Sequence, residues 1–200
     1  MLYGSTLVGM TVGIVGMGRL GQAFARMLSG FRTRILYHDL VHMSPVQEAF
    51  LGMARASLDD VLSQSDIVVL LVPLTAETLH LINAQTLSRM KDGAYLVNVG
   101  RGSVVDEAAV AAALDSGRLA GYASDVFEME DCARANRPAG IHPGLLAQAE
   151  RTLFTPHLGS AVAQARLEIE LAAAHSILQA LRGERPEGAI NEPQSRPGKS

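Results

Sequence analysis

The 200-residue sequence lacks tryptophan altogether and contains a single cysteine, Cys132. One cysteine cannot form an internal disulfide, so we expect a protein of a reducing compartment, the cytoplasm. No apolar run approaches the roughly 20 residues of a membrane-spanning helix, and the longest, residues 67–72, has the length of a strand. The N-terminus has no basic segment followed by a long apolar one, so we expect no signal peptide and no membrane partner.

An excess of positive charge is also absent. Seventeen lysines and arginines face twenty aspartates and glutamates, for a net charge of −3, so nothing indicates a nucleic-acid partner. Apolar residues make up 48% of the chain, which is ample for one large core. We expect a single folded domain over residues 1–182. The remaining tail, residues 183–200, is rich in proline, glycine and charge and is expected to be loose.

Glycine is concentrated in one turn near the N-terminus. The spacing Gly16-x-Gly18-x-x-Gly21 follows an apolar run at residues 12–15 and precedes a predicted helix at residues 20–28. This order of strand, glycine turn and helix is typical of dinucleotide binding. Gly16 permits a tight turn, Gly18 lets the backbone approach a pyrophosphate, and Gly21 lets the helix pack on the strand. The helix N-terminus offers free N–H groups to the phosphates.

An acidic residue, Asp39, follows the next apolar run, residues 35–37. A carboxylate at this position accepts hydrogen bonds from the ribose hydroxyls of NAD and repels the 2′-phosphate of NADP. Leu40 comes next, where an NADP site often has arginine. The sequence therefore favours NAD, although Arg32 and Arg34 lie close enough in sequence to leave NADP open.

Strand-like and helix-like segments alternate along the rest of the chain, which predicts an α/β fold with a doubly wound parallel sheet of the Rossmann type. We expect helices at residues 45–51, 58–63, 83–90, 107–116 and 161–181, with Ser57 and Asp106 as caps, and strands at 67–71, 94–97, 121–124 and 153–154. Residues 126–151 are expected to be irregular. Ligands bind at the carboxyl ends of the strands in such sheets, so polar residues at those ends are candidates for function.

Three chemistry-bearing segments follow predicted strands. Arg101 lies between two glycines, where a guanidinium can hold an oxyanion through two hydrogen bonds. Four acids lie between Asp125 and Asp131, and one of them placed beside an imidazole would orient it. His157 lies in a loop after proline, and a histidine with a carboxylate partner moves a proton near neutral pH. The other histidines, His80 among them, have no such setting. Each residue also has an ordinary alternative as a surface arginine, a solvated acid or a structural histidine.

In combination these motifs resemble the nucleotide-binding domain of D-isomer-specific 2-hydroxyacid dehydrogenases, over about residues 3–191. The resemblance is carried by Gly16, Gly18 and Gly21 with Asp39, by Asn98-x-x-Arg101-Gly-x-x-Val105-Asp-Glu107, by Asp125-x-Phe-x-x-Glu130 and by Pro156-His157-x-Gly159-Ser160. It implies NAD as coenzyme and a catalytic trio in which Arg101 binds the substrate anion, His157 transfers the proton and Glu130 pairs with His157. The coenzyme contacts expected beside the glycines and Asp39 are Arg19, Leu20, Pro73, Asp125 and Gly159.

Within that family the sequence is most similar to phosphonate (phosphite) dehydrogenases, which oxidise phosphite to phosphate with NAD. The segments that carry this likeness are residues 78–83, 101–110, 125–131, 133–138, 153–162 and 166–170. It implies that Arg166 and Tyr3 lie near the substrate anion, and Cys132 stands where a tryptophan is expected. A dehydrogenase of D-2-hydroxy acids, a non-catalytic NAD-sensing module and a methyltransferase are the alternatives.

One departure from the family concerns the substrate domain, which relatives form mainly from residues ahead of the glycine motif. Eleven residues precede Val12 in this sequence. We therefore expect the substrate half to be missing, including a lysine used by phosphite enzymes. The chain is then a fragment, a protein whose lid comes from a partner, or a free-standing NAD-binding protein. The resemblance also implies a homodimer, in which Ile141, Leu145 and Leu146 are expected to be covered by the partner.

Overall fold

The computed structural model of the protein describes residues 6–191. These residues form two compact units, of which the first ends at Pro156 and the second begins at His157. The first unit is a seven-stranded sheet whose strands lie in the order β3-β2-β1-β4-β5-β6-β7, with every neighbouring pair parallel. The strands are β1 Thr11–Val15, β2 Arg34–His38, β3 Met53–Arg55, β4 Ile67–Leu70, β5 Ala94–Asn98, β6 Leu119–Ser124 and β7 Thr152–Phe154.

Helices connect these strands, as parallel pairing requires. They are α1 Arg19–Leu28, α2 Pro45–Leu51, α3 Leu58–Gln64, α4 Ala84–Leu87, α5 Glu107–Asp115 and α6 Pro143–Leu146, with short 3-10 turns at Ser29–Phe31, Gly102–Val104 and Glu128–Glu130. The predicted doubly wound α/β fold is confirmed. Both predicted caps are present, because the side chain of Ser57 accepts the Asp60 N–H and that of Asp106 accepts the Ala109 N–H.

Two short elements differ from the sequence prediction. Strand β3 was not predicted, since it has three residues and begins directly after Gly52, which ends α2 in the left-handed conformation. The segment expected to be irregular contains a 3-10 turn and the four-residue α6, which starts at Pro143 and is capped by the His142 side chain. Elements of one turn are too short to show a helical period in sequence.

The principal core lies between one face of the sheet and α3, α4, α5 and α6. Leu145 is fully buried in this core and Ile141 packs against it. The expectation that Leu145 is covered by a partner is therefore wrong, because α6 turns that side chain inward against its own chain. Leu146, 55% exposed, remains available at the surface.

The opposite face of the sheet is covered by α1 and α2 over β1, β2 and β3. An apolar groove of about 550 Å³ remains beside α1 and over β4 and β5, lined in part by Phe24, Met27, Val69 and Val97. No helix within residues 6–191 is long and apolar enough to cross a membrane.

The second unit consists mainly of α7, Ala163–Leu181. Residues 184–191 of the tail contain neither helix nor strand. A dinucleotide-binding domain that ends at residue 182 stays a prediction.

Candidate functional site

The turn after β1 can be made only with glycine at two of its three positions. Gly16 has φ +103°, and a Cβ there would lie 2.7 Å from the backbone carbon of Leu71. A Cβ on Gly21 would lie 2.3 Å from the carbonyl oxygen of Gly16. Any side chain at these positions would collide with backbone, so the two glycines allow α1 to start directly against the end of β1.

Gly18 differs from its neighbours because it faces open space. A Cβ built on it meets no atom within 4 Å, and its φ of −69° suits any residue. It precedes α1, whose N-terminus has no side-chain cap, and Arg19 and Leu20 of the first turn are exposed. The first N–H groups of a helix have no intrahelical acceptor, so this end of α1 suits an anionic group such as a pyrophosphate.

Asp39 connects the end of β2 to the glycine turn. One carboxylate oxygen accepts the Met17 N–H at 2.6 Å and the other accepts the Val41 N–H at 2.8 Å. The Gly16 N–H donates to the carbonyl of His38 at 2.9 Å, which fixes the same two segments together. The predicted ribose acceptor is thus held directly beside the predicted pyrophosphate site.

The carboxyl ends of β4, β5 and β6 bring further predicted residues to the same edge of the sheet. Pro73 lies past the end of β4, and its carbonyl accepts the Thr78 hydroxyl at 2.7 Å. Asp125 follows β6 directly, and its backbone N–H donates to the backbone carbonyl of Asn98 at 3.1 Å. Its carboxylate accepts the Thr155 hydroxyl at 2.5 Å.

The structure brings the segment of Arg101 against the turn that carries Glu130. Arg101 is exposed, and its guanidinium donates to the Gly100 carbonyl at 2.7 Å. A Cβ on the next residue, Gly102, would lie 1.9 Å from the carbonyl carbon of Phe127, so the two backbones are in direct contact. The Glu130 carboxylate accepts the Phe127 N–H at 2.8 Å.

A buried carboxylate pair fixes this contact. Glu128 accepts hydrogen bonds from His80 Nε2 at 2.9 Å, Arg134 Nη1 at 3.1 Å and the Glu107 N–H at 3.1 Å. Glu107 in turn accepts the Glu128 N–H at 2.9 Å and the His142 N–H at 2.8 Å. Burial raises the pKa of Glu107, and the two backbone donors oppose that rise. Every carboxylate oxygen of the pair is hydrogen-bonded, as buried charge requires.

Two further bonds join the same turn to the Arg101 loop. The Ser103 N–H donates to the Asp131 carboxylate at 2.7 Å, and Arg134 donates to the Ser103 hydroxyl at 2.6 Å. The acids of the cluster predicted at residues 125–131 therefore hold the loop after β5 and the turn after β6 in one arrangement.

The expectation that His80 lacks a carboxylate setting is wrong. It pairs with Glu128, which lies 48 residues away in sequence, and its φ is +48°, a left-handed conformation that side-chain-bearing residues seldom adopt. The Ser103 carbonyl accepts the His80 N–H at 2.8 Å, which helps to hold that conformation. A pairing at this separation has no local sequence signal.

Three predicted site residues belong to the second unit. His157 is its first residue, exposed and left-handed with φ +54°. Gly159 follows closely, and Arg166 lies in the first turn of α7. The predicted pair takes Glu130 from the first unit and His157 from the second, and it stays a prediction. Tyr3 lies outside the described residues. Within residues 6–191 no group of three or more histidine, cysteine or acidic side chains is arranged to bind a metal ion.

Comparison with known proteins is consistent across sequence and structure. A family model described as D-isomer specific 2-hydroxyacid dehydrogenase, NAD binding domain, matches residues 1–159. Glyoxylate reductase of Thermofilum pendens is 41% identical over 191 residues, which cover 96% of this chain and 54% of that protein. Glyoxylate/hydroxypyruvate reductase B of Shigella dysenteriae is 38% identical over 190 residues, covering 94% of this chain and 56% of that protein.

Solved structures agree with these relatives. The crystal structure of a glyoxylate reductase from Paecilomyes thermophila superimposes with a TM-score of 0.81 at 34% identity, covering 92% of this chain and 53% of that one. The chain thus spans about half the length of the curated relatives it matches.

Proposed function

The chain belongs to the D-isomer specific 2-hydroxyacid dehydrogenase family, and we propose that it is the NAD-binding half of an oxidoreductase that interconverts a small 2-oxo acid and its 2-hydroxy acid. The observation that carries the proposal is the carboxyl edge of the sheet, where the glycine turn and Asp39 lie together and the Arg101 segment contacts the Glu130 turn. The named relatives, glyoxylate reductases among them, support glyoxylate or hydroxypyruvate as the class of substrate.

Residues of this chain would hold the coenzyme. The uncapped N-terminus of α1, with Gly16, Gly18, Arg19, Leu20 and Gly21, would bind the pyrophosphate, and this fits the open space at Gly18. The remaining coenzyme contacts would come from Asp39 at the ribose and from Pro73, Asp125 and Gly159. When bound, NADH supplies the hydride for the substrate carbonyl carbon.

The substrate would be bound and protonated by side chains. The Arg101 guanidinium would bind the carboxylate through two hydrogen bonds. His157 would donate a proton to the carbonyl oxygen during reduction and accept it from the hydroxyl during oxidation, and Glu130 would orient that imidazole. Arg166 and Tyr3 would add to the anion site.

Phosphite is the second candidate substrate. The observation that favours it is the set of segments similar to phosphite dehydrogenases, of which residues 101–110 and 125–131 form the two sides of the contact between the Arg101 loop and the Glu130 turn. Glyoxylate would gain a hydride at its carbonyl carbon, whereas phosphite would lose the hydride of its P–H bond to NAD while the oxygen of a water molecule bonds to phosphorus. Arg101 would bind the anion in both reactions, and in the second His157 would accept the proton that this water loses.

Two chimeras distinguish the candidates. The chain is joined to the N-terminal half of a glyoxylate reductase and, separately, to that of a phosphite dehydrogenase. We expect NADH-dependent reduction of glyoxylate by the first, and a loss of about 10²–10⁴-fold for His157→Asn, the range typical of a general acid–base group. If the first chimera is inactive with glyoxylate and the second oxidises phosphite, the result would favour the second candidate. Full activity of the His157→Asn chimera would contradict the assignment of the proton-transferring residue.

We also propose that the protein forms a homodimer and works in the cytoplasm. Support for association comes from the exposed Leu146 and from the apolar groove beside α1. The single cysteine supports a reducing compartment. Light scattering at micromolar concentration should give twice the 21.2 kDa chain mass, and a clean monomer would contradict the dimer.

A further inference from the structure

The carboxyl ends of β2 and β3 place one arginine beside the predicted ribose site. The two strands run parallel, with Tyr37 of β2 opposite Arg55, the last residue of β3. Asp39 follows two residues after Tyr37. Arg55 and Asp39 therefore lie at the same edge of the sheet, on the side where ligands of doubly wound sheets bind.

Arg55 contacts the backbone carbonyl of Asp39 and makes no ion pair with the Asp39 carboxylate. Its Nη2 donates to the Asp39 carbonyl oxygen at 3.2 Å. Within residues 6–191 this is the hydrogen bond that the Arg55 guanidinium makes, and the side chain is exposed, so its remaining N–H groups are available to a ligand. Glu48, on the helix that precedes β3, is engaged by the Tyr37 hydroxyl at 2.7 Å.

Backbone N–H groups bind both oxygens of the Asp39 carboxylate. Each of its oxygens already accepts one backbone N–H, from Met17 and Val41. Because each oxygen has two lone pairs, it can still accept from ribose hydroxyls. Its repulsion of a further anion is weakened by two N–H dipoles and by the adjacent guanidinium.

The two arginines that the sequence left open as NADP contacts lie at the wrong end of β2. Arg34 is the first residue of that strand and donates to Gln64 at 3.2 Å, and Arg32 precedes it. Four residue steps along the strand separate Arg34 from His38, about 13 Å at the usual rise. Arg55 is the arginine of β2 and β3 at the coenzyme edge.

We propose that Arg55 binds the 2′-phosphate of NADP(H), so that the site accepts NADPH as a second and weaker coenzyme beside NADH. A guanidinium matches a phosphate oxygen pair in geometry and charge. Asp39 still opposes the phosphate, which keeps NADH the tighter ligand. The inference rests on the proposed coenzyme site, and it adds a residue that sets coenzyme preference.

Binding of the two coenzymes to the full chain tests this directly, with no need for turnover. NADH and NADPH are titrated by their own fluorescence into the parent chain, Arg55→Gln, Arg55→Lys and the matched control Arg34→Gln, which removes an arginine at the opposite end of the neighbouring strand. We expect Arg55→Gln to raise the Kd of NADPH about fivefold or more, the scale of a partly screened charged contact, and that of NADH less than twofold. For Arg55→Lys the Kd of NADPH should lie between those of the parent and Arg55→Gln, and Arg34→Gln should change the Kd of neither coenzyme.

Ionic strength provides a second readout. The Kd of NADPH should rise more steeply with salt than that of NADH in the parent, and this difference should shrink in Arg55→Gln. The role of Arg55 would be overturned if Arg55→Gln raised the Kd of both coenzymes equally, or if the parent chain bound NADH and not NADPH. Either result would leave the NAD site intact. Failure of every form to bind NADH would overturn the proposed coenzyme site and the role of Arg55 with it.

Discussion

Replacing Glu107 by glutamine tests whether the buried carboxylate pair holds the turn that carries Glu130. Glu107 accepts one backbone N–H at each oxygen, from Glu128 and His142. Glutamine supplies one acceptor, so one N–H would face the amide NH₂ and lose its partner. An unsatisfied buried donor costs about 1–3 kcal/mol. Part of this is offset, because glutamine removes the cost of burying a charge, and we expect a net loss of about 1–2 kcal/mol in the free energy of unfolding.

The pH dependence of this loss has a definite sign. Burial raises the pKa of Glu107 in the folded protein above its unfolded value. Its contribution is therefore fully present below the unfolded pKa and is lost as pH rises through the folded pKa. The difference in the free energy of unfolding between parent and Glu107→Gln should shrink as pH rises through the folded pKa of Glu107.

Urea unfolding followed by circular dichroism measures both quantities, since the chain has no tryptophan. Glu150→Gln, at an exposed glutamate, is the control and should change stability by less than about 0.5 kcal/mol. An equally small effect of Glu107→Gln at every pH, or a difference that grows with pH, would refute the reasoning.

Two other substitutions probe separate contacts. The Asp66 carboxylate accepts hydrogen bonds from the Lys91 ammonium and, at 2.8 Å, from the Thr11 N–H, and these contacts, chiefly that with Lys91, lower its pKa. Asp66→Asn should therefore lower the free energy of unfolding by up to about 1 kcal/mol at pH 7 and by little below the folded pKa of Asp66. A loss that is the same at every pH in urea unfolding would contradict this. Gly102→Ala would press a methyl group into the Phe127 backbone and should lower the free energy of unfolding by about 2 kcal/mol or more; parent-like unfolding would show that the contact is loose.

The parts of the fold that can be predicted from sequence are those with a continuous apolar run or a clear helix-capping residue. The run that became β4 and the caps Ser57 and Asp106 are local signals, and the structure has them where they were predicted. Strand β3 has three residues at the edge of the sheet and no period of its own. Leu145 is apolar in sequence whether it faces a partner or its own core, and only the packing of α6 on α5 decides.

The candidate site divides in the same way. Gly16, Gly18 and Gly21 are predictable because their spacing is a local signature of the turn between a strand and a helix. The pairing of His80 with Glu128 and the approach of Arg55 to Asp39 join residues 48 and 16 positions apart, through contacts that sheet register and loop packing create. Reading these from sequence would require knowledge of which strands are neighbours.

The most direct test of the central claim is an NADH titration of the parent chain, Gly18→Val and Gly30→Val by calorimetry. A Cβ at either glycine meets no atom within 4 Å, and neither has a left-handed φ, so both variants should fold normally. If the turn after β1 binds the pyrophosphate, valine at Gly18 should abolish or strongly weaken NADH binding, while valine at Gly30 should leave it unchanged. Equal NADH affinity of Gly18→Val and the parent would contradict the coenzyme site.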